Sequence, residues 1–92
     1  MIVRILGEGQ FDLPSSQLDR LNKLDNKIVE AVAAGKTKDY SKLLVQLLDV
    51  VKIKGKPLPL ETLKESDLIL PSADTTLQEA RQLFKGEGLI PG

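Results

Sequence analysis

The chain has 92 residues, enough for one hydrophobic core, since two would each approach the ~40-residue lower limit for unaided folding. Hydrophobic residues make up 41% and charged residues 28%, a globular balance that predicts a folded rather than a disordered chain; with Phe11, Tyr40 and Phe84 as the aromatics, the core must be aliphatic. The 13 basic side chains cancel the 13 acidic ones, and cysteine and histidine are absent; this removes the long-range field that gathers nucleic acid or anionic lipid, all thiol chemistry, and any histidine-activated serine.

The expected elements follow in chain order. Met1 to Leu6 is rich in β-branched residues and reaches a Gly7-Glu8-Gly9 turn, after which Gln10 to Leu13 returns as the second strand of a hairpin. Pro14 stops the pairing, and Ser16 stands three residues before Asp19, the spacing of a capping box. Leu18, Leu21, Ile28, Val29 and Val32 then recur on one helical face until Gly35, which predicts a first helix over residues 16–34. Thr37 is placed to cap a second helix, joined to the first by Gly35-Lys36, a link short enough to predict an antiparallel helical hairpin.

Pro57-Leu58-Pro59 cannot continue that helix and predicts a turn or an extended connector, with one helical turn from Leu60 to Leu63. Leu68-Ile69-Leu70 is a short apolar strand that Pro71 ends or confines to a sheet edge. A third helix starts at Asp74, Thr75 or Thr76, with capping-box spacing at Thr75/Gln78 and Thr76/Glu79, and stops at Gly86. The expected fold class is α+β: an N-terminal β-hairpin, an antiparallel helical hairpin, a short third strand and a C-terminal helix, ββααβα, within a single domain over residues 1–92.

Motifs that carry chemistry are scarce. Gly-Glu-Gly occurs at 7–9 and again at 86–88. A dinucleotide fingerprint needs a third glycine and a helix opening directly behind the loop, and the glutamates repel phosphate, so both copies are expected to be tight turns. No run approaches about 18 apolar residues and no signal-peptide pattern opens the chain, so no direct membrane insertion is expected. The lysines at 36, 38, 42, 52, 54 and 56 make both ends of helix two basic, but no aromatic interleaves with them to stack bases, and nucleic acid is not an expected partner. No metal-ligand spacing and no activated nucleophile is present; neither cofactor, metal nor catalytic activity is expected.

Three stretches carry a resemblance. They are the opening Met1-Ile2-Val3-Arg4-Ile5-Leu6-Gly7-Glu8-Gly9-Gln10-Phe11; Leu21-Asn22-x-Leu24-Asp25 on helix one; and the close from Ser66-Asp67-Leu68-Ile69-Leu70-Pro71 through Gly86-Glu87-Gly88-Leu89-Ile90-Pro91-Gly92. Together they resemble the PspA-associated family, PspAA, over nearly the whole chain. That resemblance implies a non-enzymatic, cytoplasmic binding module of the phage-shock membrane-stress response. Its partner would be PspA, a helical membrane-remodelling protein that assembles on damaged bilayers, and PspA would bring it to the membrane periphery. The alternative is a self-associating structural domain, a homo-oligomer without a PspA role.

Asp25 falls inside the apolar arc of helix one, where an isolated carboxylate is costly to bury. Either it lies at the arc's edge or pairs with Arg4, Tyr40 or a lysine, or it is an exposed anchor that fixes the register of a partner helix. The apolar arc of helix two spans about 160°, wider than the roughly 100° stripe one core face requires. Leu48 or Ile53 is therefore expected on the rim beside Asp25, these three residues forming the candidate partner-binding site, unless the sheet or Phe84 covers them.

Overall fold

In the computed structural model, residues 1–59, 61 and 64–84 are described. Alternation around the exposed Arg4 makes β1 (Ile2–Ile5) a strand with Val3 and Ile5 on its buried face. It pairs antiparallel with β2 (Gly9–Asp12), Val3 opposite Phe11 and Arg4 opposite Gln10. The three-residue turn between them needs backbone that side-chain-bearing residues rarely adopt, and both glycines supply it, with φ of 85° at Gly7 and 100° at Gly9.

The start of the first helix departs from the sequence-based expectation. Pro14 opens a 3-10 turn over Ser15–Gln17, the Gln17 amide donating to the Pro14 carbonyl at 3.0 Å, and α1 runs Leu18–Ala33. The Ser16/Asp19 box does not form, because Ser16 already lies inside the 3-10 turn rather than in the extended conformation a capping residue adopts. The stop is as expected: Gly35 takes φ 69°, and the amides of Gly35 and Lys36 fold back onto the carbonyls of Val32 and Ala31 at 3.1 and 2.9 Å. Helix α2 (Thr37–Lys54) follows at once, completing the helical hairpin. The link is so short that Lys36 occupies the capping position, which moves Thr37 into the helix and denies it the capping role.

Leu21, Ile28, Leu44, Leu47 and Val51, the residues whose helical spacing demands burial, are all 0% exposed. They join Val3, Ile5, Phe11, Leu13, Leu68 and Leu70 of the sheet region in one apolar cluster. At the end of α2, Gly55 brings the helix directly onto β2. A Cβ there would stand 2.6 Å from the Val51 carbonyl oxygen and 3.2 Å from the Phe11 Cβ.

The connector after α2 contains a strand that the sequence did not announce. Lys56–Pro57 forms β3, pairing antiparallel with Asp12 and Phe11, so the order is ββααββα. Two residues are too few to show alternation, and a proline in a strand is tolerated at an edge, where its missing N–H costs no ladder bond. The helical turn expected at Leu60 to Leu63 lies outside the described residues except for Glu61. Leu68–Leu70 forms β4 as expected, parallel to β1, and closes a mixed sheet of order β3-β2-β1-β4. The Asp67 carboxylate accepts from the Ile2 amide at 2.7 Å, while the Asp67 amide donates to the Ile2 carbonyl at 2.8 Å.

β3 and β4 are opposite edges of the sheet. Gln10 of β2 is buried and donates its side-chain amide to the Lys64 carbonyl and to Ser66 Oγ, both at 2.8 Å, which holds residues 64–66 against the sheet. Helix α3 (Leu77–Leu83) starts with the expected Thr76/Glu79 box: the Glu79 amide donates to Thr76 Oγ1 at 3.2 Å and the Thr76 amide to Glu79 Oε1 at 3.1 Å. The stop expected at Gly86 lies outside the described residues.

Candidate functional site

The structure separates the three residues that the sequence grouped as a binding rim. Asp25 is 0% exposed, and every buried side-chain nitrogen and oxygen among the described residues, its own included, has a hydrogen-bond partner. The exposed register anchor is thereby corrected to an interior carboxylate. Arg4, one of the counterions considered for it, stands exposed on the outer sheet face, away from the helices. Leu48 is 1% exposed and belongs to the core cluster, so it is covered and does not take the rim position. Ile53 is 75% exposed, and at 100° per residue it lies about 140° around α2 from Leu48.

Ile53 stands in company. Beside it, between α1 and α2 on the side away from the sheet, lies a hollow of about 710 Å³ whose apolar walls are Leu24, Val50 and Ile53. A second hollow of about 560 Å³ continues along the hairpin past Ala31 and Leu43, and the two share Lys27 and Gln46. Along the combined groove, Arg20, Lys23, Lys27, Lys36, Lys42 and Lys54 face three acids, Glu30, Asp39 and Asp49. A chain with no net charge thus gathers a cationic excess along one amphipathic groove. Sequence reasoning missed it because its walls come from the flanks of two helices. The available signal was Leu24, an apolar residue of α1 outside the main apolar face of that helix, together with Ile53 near the end of α2.

The remaining polar features tie elements together. Glu8, in the β1–β2 turn, pairs with Lys52 of α2 at 2.7 Å, so the turn's carboxylate faces a lysine. Both side chains are more than one-third exposed, and a pair of this kind contributes at most about 1 kcal/mol. Tyr40 is buried, and its hydroxyl donates to the Thr75 carbonyl at 2.7 Å, fastening α2 to the start of α3. Burial raises the Tyr40 pKa above 10.0, and the negative charge of Glu79 raises it further. A tyrosine acting as a base or nucleophile needs the opposite shift, so the hydroxyl has the character of a structural tie.

This shift has a pH consequence. The unfolded chain ionises at its tyrosine near the ordinary value of 10.0, before the folded chain does. The stability from the neutral phenol is therefore complete below that pH and is lost as pH rises from there through the folded value. Because Tyr40 is the single tyrosine and tryptophan is absent, tyrosinate absorbance reads this one group. Ionisation is expected to lag behind that of free tyrosine and to coincide with alkaline unfolding, and Tyr40→Phe should lose that component while costing about 1 kcal/mol at neutral pH. A free-tyrosine titration in the native protein would remove Tyr40 from the interior.

Among the described residues, no group of three histidine, cysteine, aspartate or glutamate side chains is placed to hold a metal ion. No described helix is long and apolar enough to cross a membrane. Fold and surface together define a small α+β protein with helices packed on one face of a mixed four-stranded sheet and a cationic, apolar-walled groove on the helices' far side. The family model of the PspA-associated proteins, PspAA, matches residues 1–92, and the chain belongs to that family. No curated protein and no solved structure matches it.

Proposed function

We propose that this chain is a non-enzymatic binding module that associates with PspA in the envelope stress response. Its 92 residues act as one domain, in the cytoplasm, and reach the membrane periphery through PspA. The observation that carries this reading is the match of the PspA-associated family model to residues 1–92. The composition supports it, since a chain without histidine or cysteine lacks the commonest general base and the strongest nucleophile. One apolar cluster reaching from Val3 to Phe84 supports the single domain.

The test is capture of purified PspA from the same organism by the purified, immobilised chain. Retention of PspA in a fixed molar ratio, with a complex that co-elutes on gel filtration, is the expected result. A folded chain that retains no PspA but grows in mass with its own concentration would turn the assignment to self-association.

A further inference from the structure

We infer that the groove between α1 and α2, on the side away from the sheet, receives an acidic amphipathic helix of the partner protein. Its apolar seat is Leu24, Val50 and Ile53, and its cationic rim is Arg20, Lys23, Lys27 and Lys54. The inference rests on the reading that the chain binds PspA, and adds the surface used and the chemistry of the segment bound.

Three observations carry it. Ile53, 75% exposed, is the most exposed of the large hydrophobic residues described. An isolated exposed isoleucine needs no explanation, but this one stands one helical turn beyond Val50 and shares a hollow with Leu24 of the facing helix. The second is shape. A crevice between two packed helices is a seat for a third, which lays side chains at i, i+3 or i+4, and i+7 into it. At 1.5 Å per residue, α1 and α2 offer a track of about 25 Å, the length of a helix of about 16 residues. The third is charge. Six cations against three anions line the groove in a chain whose total charge is zero, so the matching helix carries acids on the flanks of its apolar stripe, where complementary charge fixes register and speeds encounter. A bilayer surface fits less well. Val50 is 7% exposed and Ile53 is the single strongly exposed large apolar side chain of the groove, which suits one face of a helix and is too little apolar surface to anchor a helix pair in acyl chains.

The test measures binding of purified PspA to the intact chain and three variants. Ile53→Gln removes the exposed apolar contact, and the double variant Lys23→Glu/Lys27→Glu reverses the rim; all three positions are exposed, so thermal melts should stay close to wild type. Each variant is expected to weaken PspA binding about tenfold or more, and the rim reversal should also flatten the salt dependence. Ile69→Lys, on the outer sheet face and 55% exposed, should bind as wild type does. Wild-type binding by both folded groove variants overturns the groove while leaving the PspA association standing. Loss of binding in Ile69→Lys alone moves the site to the sheet. A wild-type chain that ignores PspA but binds phosphatidylglycerol vesicles through the same lysines assigns the groove to lipid, and both readings fall.

Discussion

Replacing Leu47 by aspartate is expected to leave the chain without a cooperative thermal transition. Leu47 is 0% exposed, in the middle of α2, and is surrounded by the apolar cluster that joins both long helices to the sheet. The substitution removes the packing of a buried leucine, roughly 2–5 kcal/mol, and obliges a carboxylate either to lose several kcal/mol of solvation or to take up a proton. A chain of 92 residues has about 5–14 kcal/mol of stability to lose. Circular dichroism melts and amide dispersion in a proton spectrum check the outcome, and a melt indistinguishable from wild type would place Leu47 outside the core.

Asp25→Lys is expected to be nearly as damaging, because the side chain sits inside the apolar arc of α1 and is buried there. The carboxylate is 0% exposed and its oxygens are hydrogen-bonded. Lysine would bring the opposite charge and a longer stem into a site already filled, and would strand the groups that bond to aspartate; breaking a buried polar arrangement of this kind costs about 3–5 kcal/mol. Asp25→Asn, nearly the same in shape, should lose less. Urea midpoints for the pair are the measurement, and an Asp25→Lys midpoint equal to wild type would put the side chain at the surface. Any loss of PspA capture by Asp25→Lys would then report unfolding, which makes Ile53 and the Lys23/Lys27 rim the informative positions for mapping a contact.

Helical periodicity located Leu21, Ile28, Leu44, Leu47 and Val51 correctly because it reports the direction of an apolar arc. It does not report how much of the arc a neighbour covers. Leu48 is therefore a rim candidate from the sequence, with cover as the alternative, and it is covered, at 1% exposed within the core cluster. Of the two rim candidates, Ile53 is the one left open, at 75% exposed. Local signals succeeded where one residue settles the geometry, as at Gly35 and at Thr76 with Glu79. They failed at Ser16, where the 3-10 turn after Pro14 delays the helix start to Leu18, and at Thr37, where the short link makes Lys36 the cap and draws Thr37 into the helix. The β3 pairing, the hydrogen bond from Gln10 to Lys64 and the groove depend on segments distant in sequence, and no local window contains them.

The position of β1 between β2 and β4 also sets an order of assembly. The hairpin with β2 and the pair of helices are local and can close in microseconds, whereas the β4 side of β1 requires residues 65 apart to meet, as Ile2 and Asp67 do. On the ribosome, at about 5–20 residues per second, one side of β1 waits on the order of seconds for its partner. During that interval Ile2, Val3 and Ile5 present an apolar strand with an unpaired edge, the kind that recruits other nascent chains. Dilution, faster synthesis or a holding chaperone is therefore expected to raise the yield of folded protein more than any strengthening of the finished core.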